Sequence, residues 1–208
     1  MDEPTSSAHA ATIATTEHFT LQAARAATVT ESNGRANLFL GAVSSGLVAL
    51  AFVGQVSGLD TGFLTFGLVV LPVLLFIGLV TFDRVLQSAV EDFSYAQRIN
   101  DVRRFYLAAA PELGEYLLAP AERGTAAVMT TMGLRPGRLQ PFLTAAGMVE
   151  VLNAALAGAI VAFAVSTIDR DQAALAIVAG LVVGALLLTV LHRAQRRVWT
   201  RATGDTTP

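Results

Sequence analysis

Glu150 is the third residue of the apolar run "MVEVLNAALAGAIVAF", 148–163. A carboxyl group at the edge of such a run has two chemistries open to it. It can bind a proton or ion on a transport path, the default reading of an ionisable group inside a membrane. It can instead pair with a cation near the lipid headgroups and fix the register of its helix. Nucleophilic catalysis needs a nucleophile and a base within reach of each other. Ser44 and Ser45 lie inside another apolar run, while His9 and His18 stand near the N-terminus and His192 at the end of a third run. That spacing predicts no dyad, and the serines read as small helix-packing residues. Cysteine is absent, HExxH is absent, and three scattered histidines predict no metal centre. No strand followed by a glycine-rich loop is present to cradle a phosphate. The chain therefore reads as non-enzymatic, with no catalytic residue, metal or cofactor.

The elements that carry these residues follow from composition. Of 208 residues, 53% are hydrophobic and 14% charged, with a mean hydropathy of +0.57. Soluble domains carry about 25% charged residues, so the chain belongs in a lipid bilayer. A net charge of −2 supplies no basic field, and nucleic acid is not an expected partner. All basic residues are arginine, a bias that suggests a GC-rich bacterial genome. The acidic opening "MDEPTSS" and the late first apolar run predict no cleavable signal.

About 20 apolar residues cross a bilayer core as a helix. Four stretches qualify, namely 37–56, 63–82, the apolar part of 141–168, and 173–193. Pro72 lies inside the second, where it kinks but need not end a helix in lipid. The connectors "SGLDTG" (57–62) and "DRDQ" (169–172) together carry one arginine, against seven between Arg84 and Arg138 and four between Arg193 and Arg201. Arginine collects on the cytoplasmic side. The expected fold is thus all-α and polytopic, with four transmembrane helices. The expected location is the bacterial inner (plasma) membrane, with both termini and the central segment cytoplasmic.

Counting inward from the outer ends at about 1.5 Å per residue puts Glu150 roughly 27 Å deep, Arg84 and Arg35 near 32 Å and His192 near 28 Å. The four form an expected polar layer at the inner boundary, with Arg84 the favoured partner of Glu150. Glu150, Ala154, Gly158 and Ala162 recur every four residues and share one ridge. Ala176, Gly180 and Gly184 make a matching ridge on the fourth span, and small residues let helix backbones approach closely. Spans three and four are expected to pack through these ridges.

The second span continues without proline or glycine from Phe82 to Pro111. Phe82, Leu86, Ala89, Phe93 and Ala96, then Ile99, Val102, Tyr106 and Ala109, form an apolar stripe on a cytoplasmic stalk. That stripe needs a partner, either the stretch 15–35 of the same chain or the stalk of a second copy. A short helix is expected within 120–133 and a basic turn over 134–141. The resulting organisation is a disordered tail over 1–14, then a cytoplasmic helix, hairpin and stalk over 15–110. A connector (111–140), a second hairpin (141–201) and a disordered tail (202–208) complete it.

A cytoplasmic helix, two close spans and a continuing cytoplasmic helix, over 15–110, resemble the SLATT-type membrane effectors of bacterial nucleotide-signalled defence. The resemblance is one of plan and carries no functional residue with it; two further spans lie outside that plan. The chain also looks like uncharacterised bacterial four-helix membrane proteins, which implies no activity. The expected partners are the lipid bilayer and a second copy, joined through the stalk or the transmembrane helices. The expected role is self-association or partner docking by the cytoplasmic helices, with an oligomeric channel or pore-forming effector as the alternative. Polar residues in the spans are few (Ser44, Ser45, Gln55, Thr65, Asn153, Ser166 and Thr189), so one chain alone should not enclose a water-filled pore. The arginine distribution yields a direct test of orientation. Cysteines replacing Asp60 and Asp171 should react with an impermeant thiol reagent outside intact cells, and one replacing Gly124 should not; the reverse pattern contradicts the orientation.

Overall fold

Long stretches free of internal glycine and proline pairs become long helices. The computed structural model describes residues 3–117, 124–133, 140–168 and 172–204, and among them no strand occurs. Five α-helices follow in order, α1 (Glu3–Ser57), α2 (Thr61–Ala109), α3 (Thr125–Thr131), α4 (Ala145–Ile168) and α5 (Ala173–Thr203), with 3-10 turns at Pro111–Glu115 and Gln140–Leu143. Four of these, α1, α2, α4 and α5, are long and apolar enough to cross a membrane. Their most apolar windows are only 17–28% buried within the chain. Leu38, Phe52, Val73, Phe76, Leu181 and Leu186 all stand more than half exposed. Helices apolar on their outer faces need lipid, not water, around them.

The local signals act where their chemistry predicts. Gly58 ends α1 with φ 70°, a left-handed residue that glycine takes without penalty. Asp60 then caps α2, accepting the Phe63 N–H at 3.1 Å. Pro72 sits within α2, which runs on to Ala109 and stops before Pro111. Helix α3 falls inside the expected segment 120–133, while the basic turn expected over 134–141 lies largely outside the described residues. Two expectations are corrected. Helix α1 starts at Glu3, inside the segment 1–14 read as a disordered tail, because alanine-rich sequence without glycine propagates helix well. Helix α5 likewise continues to Thr203 and ends at Gly204 with φ 64°.

The chain divides into two units, 1–31 with 88–140, and 32–87 with 141–208. The boundary therefore cuts across α1 and α2, and the block 15–110 does not form one unit. In the first unit the stalk stripe finds its partner in the same chain. Arg25 Nε donates to Asp92 Oδ1 at 2.6 Å, and the His18 ring lies 5.8 Å from that of Tyr106. Phe93, Ala96, Ile99 and, on α3, Val128 are buried. Burial lowers the His18 pKa from its ordinary 6.5, and Arg103 lowers it further. Arg104 bonds Asp101 one turn before it.

The second unit is a bundle whose core draws on all four long helices, with Phe39 and Val43, Leu71 and Leu74, Val149 and Leu156, and Leu191 in one cluster. Helices α4 and α5 meet backbone to backbone. A Cβ on Gly158 would stand 2.7 Å from the Gly180 carbonyl oxygen, and one on Gly180 would stand 2.6 Å from that of Gly158. A Cβ on Gly184 would stand 2.9 Å from the Ala154 oxygen, and the Gly180 position is 3.2 Å from Ala162 Cβ. Ala176 and Ala154 are buried on the same ridges. A step of four back along α4 matches a step of four forward along α5, the signature of an antiparallel hairpin packed through small residues.

Candidate functional site

Thr144 sets up the site. Its hydroxyl donates to the Pro141 carbonyl at 2.8 Å and accepts the Gly147 N–H at 3.1 Å, so it caps α4 from three residues away. The 3-10 turn before it folds over the first turn of α4, where a side chain on Gly147 would strike the backbone of Pro141 and Phe142. That closure lays the Phe142 ring on the imidazole of His192, centroids 5.1 Å apart and planes within 9°.

Glu150 lies beneath, on the second turn of α4, with no exposed surface. Its Oε1 is 3.5 Å from His192 Nδ1, and the His192 side chain keeps 26% of its surface. The separation is that of an ion pair and too long for a well-made hydrogen bond. Neither carboxylate oxygen has a hydrogen-bond partner among the described residues. One turn along each helix stands a buried amide. Asn153 donates from Nδ2 to the Val149 carbonyl at 2.9 Å, while its Oδ1 presses on Gly78 of α2 in space that no side chain there could share. Gln195 is 3% exposed, and its Oε1 is unpartnered. A buried neutral polar atom left unpaired costs about 1–3 kcal/mol, and an unpaired buried charge costs several.

The other expected members of the layer go elsewhere. Arg84 is exposed and donates to Gln87 at 3.0 Å, and Gln87 in turn donates to Asp83 at 2.7 Å. Arg84 is therefore not the partner of Glu150. Phe82, Val85 and Leu86 occupy the inward face of α2, which turns Arg84 outward. Arg35 is half-buried and has a partner. Ser44 and Ser45 are exposed on α1. Thr65, Ser166 and Thr189 turn their hydroxyls back on the carbonyls of Thr61, Ala162 and Ala185, a local satisfaction that commits them to their own helices.

Sequence reasoning placed Glu150 and His192 in one layer and did not pair them. It also left out Phe142 and Gln195. Their signal is the spacing, since Glu150 and Asn153, and His192 and Gln195, each stand one turn apart on otherwise apolar helix faces. No family model, curated protein or solved structure matches the chain.

The pairing is open to a double-mutant cycle. Glu150→Gln and His192→Gln should couple by about 0.5–3 kcal/mol in unfolding stability, whereas Glu150→Gln and Arg84→Gln should add within about 0.5 kcal/mol. Coupling to Arg84 in place of His192 would contradict the geometry.

Proposed function

We propose that the chain is a non-enzymatic integral protein of the bacterial inner membrane, with both termini cytoplasmic, whose first unit mediates self-association. The observation that carries this reading is the set of aromatic side chains standing out from that unit. Phe19 is 70% exposed, Tyr116 81% and Phe105 42%, in the part of the chain richest in charge. Exposed aromatics among charged residues are what protein interfaces are made of, and a few such anchors carry most of the binding energy. On α2 and α3 the same unit has an open polar cleft of about 420 Å³ lined by Ser94, Gln97, Arg98, Asn100 and Asp101, with Thr125 opposite. Such a cleft could seat a polar segment of a partner. The arginine distribution supports the cytoplasmic assignment of this unit.

A second reading, an oligomeric channel, draws on one observation, the buried Glu150 layer with its open acceptors. Thr65, Ser166 and Thr189 bond their own backbones and the polar side chains of the spans are few, so a conducting path would need several copies.

The test is the mass of the full chain in mild detergent across a concentration series, with ion flux measured on the same protein in liposomes. A concentration-dependent oligomer is expected. Phe19→Ser and Phe105→Ser should each weaken it by roughly thirtyfold, the equivalent of about 2 kcal/mol, without lowering the melting temperature. A chain that stays monomeric at every concentration contradicts the reading, and selective flux favours the channel.

A further inference from the structure

Helix α4 contains one ionisable residue, Glu150, and it is the most deeply buried carboxyl group among the described residues. Among the described residues, His192 is the one basic side chain with a nitrogen within 4.0 Å of it. The charged groups on the neighbouring elements are otherwise occupied or turned away. Arg35 of α1 is partnered, Asp83 and Arg84 of α2 are exposed and joined through Gln87, and Arg193 and Arg196 of α5 are exposed. A carboxylate facing a neutral imidazole in this space would be a buried charge with neither counter-ion nor hydrogen bond, the arrangement proteins avoid most strongly. Two arrangements avoid it. Glu150 can be a carboxylic acid beside a neutral His192, or a carboxylate beside an imidazolium. Each contains one proton more than the disfavoured state.

We propose that Glu150 and His192 form a proton-binding site that holds one proton in the folded protein and ties its release to the packing of α4 against α5. The geometry also supplies a route. Glu150 has no exposed surface and His192 keeps about a quarter of its own, so protons exchange through the imidazole. The Phe142 ring stacks on that imidazole and holds it in place. The site stands on the same helix ridge as Gly158 and Gly180, whose backbones touch. Loss of the proton leaves a charge that must be relieved by water entering between the two helices.

The sign of the pH dependence follows from linkage. In an unfolded chain glutamate titrates near 4.3 and histidine near 6.5, so near neutral pH the unfolded pair holds little of the one proton that the folded pair retains. Unfolding then releases a proton, and the unfolding equilibrium constant rises by up to about tenfold per pH unit. This contribution is fully present below about pH 6.5 and is lost as pH rises through the titration of the folded pair. His18 acts on the opposite limb. Its pKa is lowered in the fold by burial and by Arg103, so its contribution is present above about 6.5 and lost as pH falls through its folded value.

The experiment is unfolding of the full-length protein in detergent between pH 5 and 9, together with a count of protons released on denaturation near neutral pH. Wild type should lose stability as pH rises through the titration of the folded pair and release a proton on unfolding there. Glu150→Gln should show a flat profile and no release, and His192→Gln should lose the imidazole route, slowing proton exchange at Glu150. The wild-type count stands without the variants should either fail to fold. A flat wild-type profile with no proton released would overturn the proposal, as would a slope that survives in Glu150→Gln.

Discussion

The contact on which the bundle depends is the meeting of two helix backbones at Gly158 and Gly180. Neither position tolerates a Cβ, because each would press on the carbonyl oxygen of the other. In lipid there is no hydrophobic drive to bring helices together, so close packing and polar contacts must supply it. Once that contact is made, the antiparallel register is set for the rest of the hairpin. Gly184 falls against Ala154, and two further turns along α5 bring His192 to Glu150. The polar pair is thus a consequence of the glycine ridge, and its burial depends on that ridge staying closed.

The same bundle is apolar outside and holds its polar groups within. Glu150, Asn153 and Gln195 are among the most deeply buried side chains, while leucines, valines and phenylalanines cover the outer faces. The hydroxyls of Thr65, Ser166 and Thr189 are satisfied by the carbonyl one turn back and add no polarity to the interior. What remains polar inside gathers around the Glu150–His192 pair, with Asn153 one turn to one side of it and Gln195 one turn to the other. The first unit is built differently, from charged helices joined by the Arg25–Asp92 bridge around a small apolar core. Chemistry suited to docking and chemistry suited to a proton occupy separate units.

Much of this was legible in the residues. Apolar length located four spans, "SGLDTG" located the first hairpin turn, and Pro111 located the end of α2. The four-residue spacing of Gly and Ala located the ridges that meet between α4 and α5. Depth along an axis is simple to count, but direction around a helix is not, and for that reason Arg84 was matched to Glu150 on depth alone. Continuing the α5 ridge in steps of four from Gly184 through Leu188 reaches His192, and the same two steps back from Gly158, which also borders Gly184, lead α4 to Glu150. The alanine-rich start was legible as composition, and its helix follows from that local propensity, which the reading of 1–14 as a tail passed over. The division of the chain across α1 and α2 was hidden for a different reason, since it follows long-range contacts and leaves no break in the sequence.

The central claim is the register of α4 on α5, and the absence of native cysteine makes it directly measurable. Ala162 and Ala176 lie on the facing ridges one step beyond the glycine contact, and replacing each by cysteine adds little more than a sulfur atom. In native membranes, mild oxidation should join the Ala162→Cys/Ala176→Cys pair, which the antiparallel step of four sets on facing ridges. The pair Ala162→Cys/Ile177→Cys should stay unjoined, because Ile177 is 58% exposed on the outer face. Equal yields from both pairs, or joining of the second alone, would contradict the register and with it the pairing of Glu150 with His192.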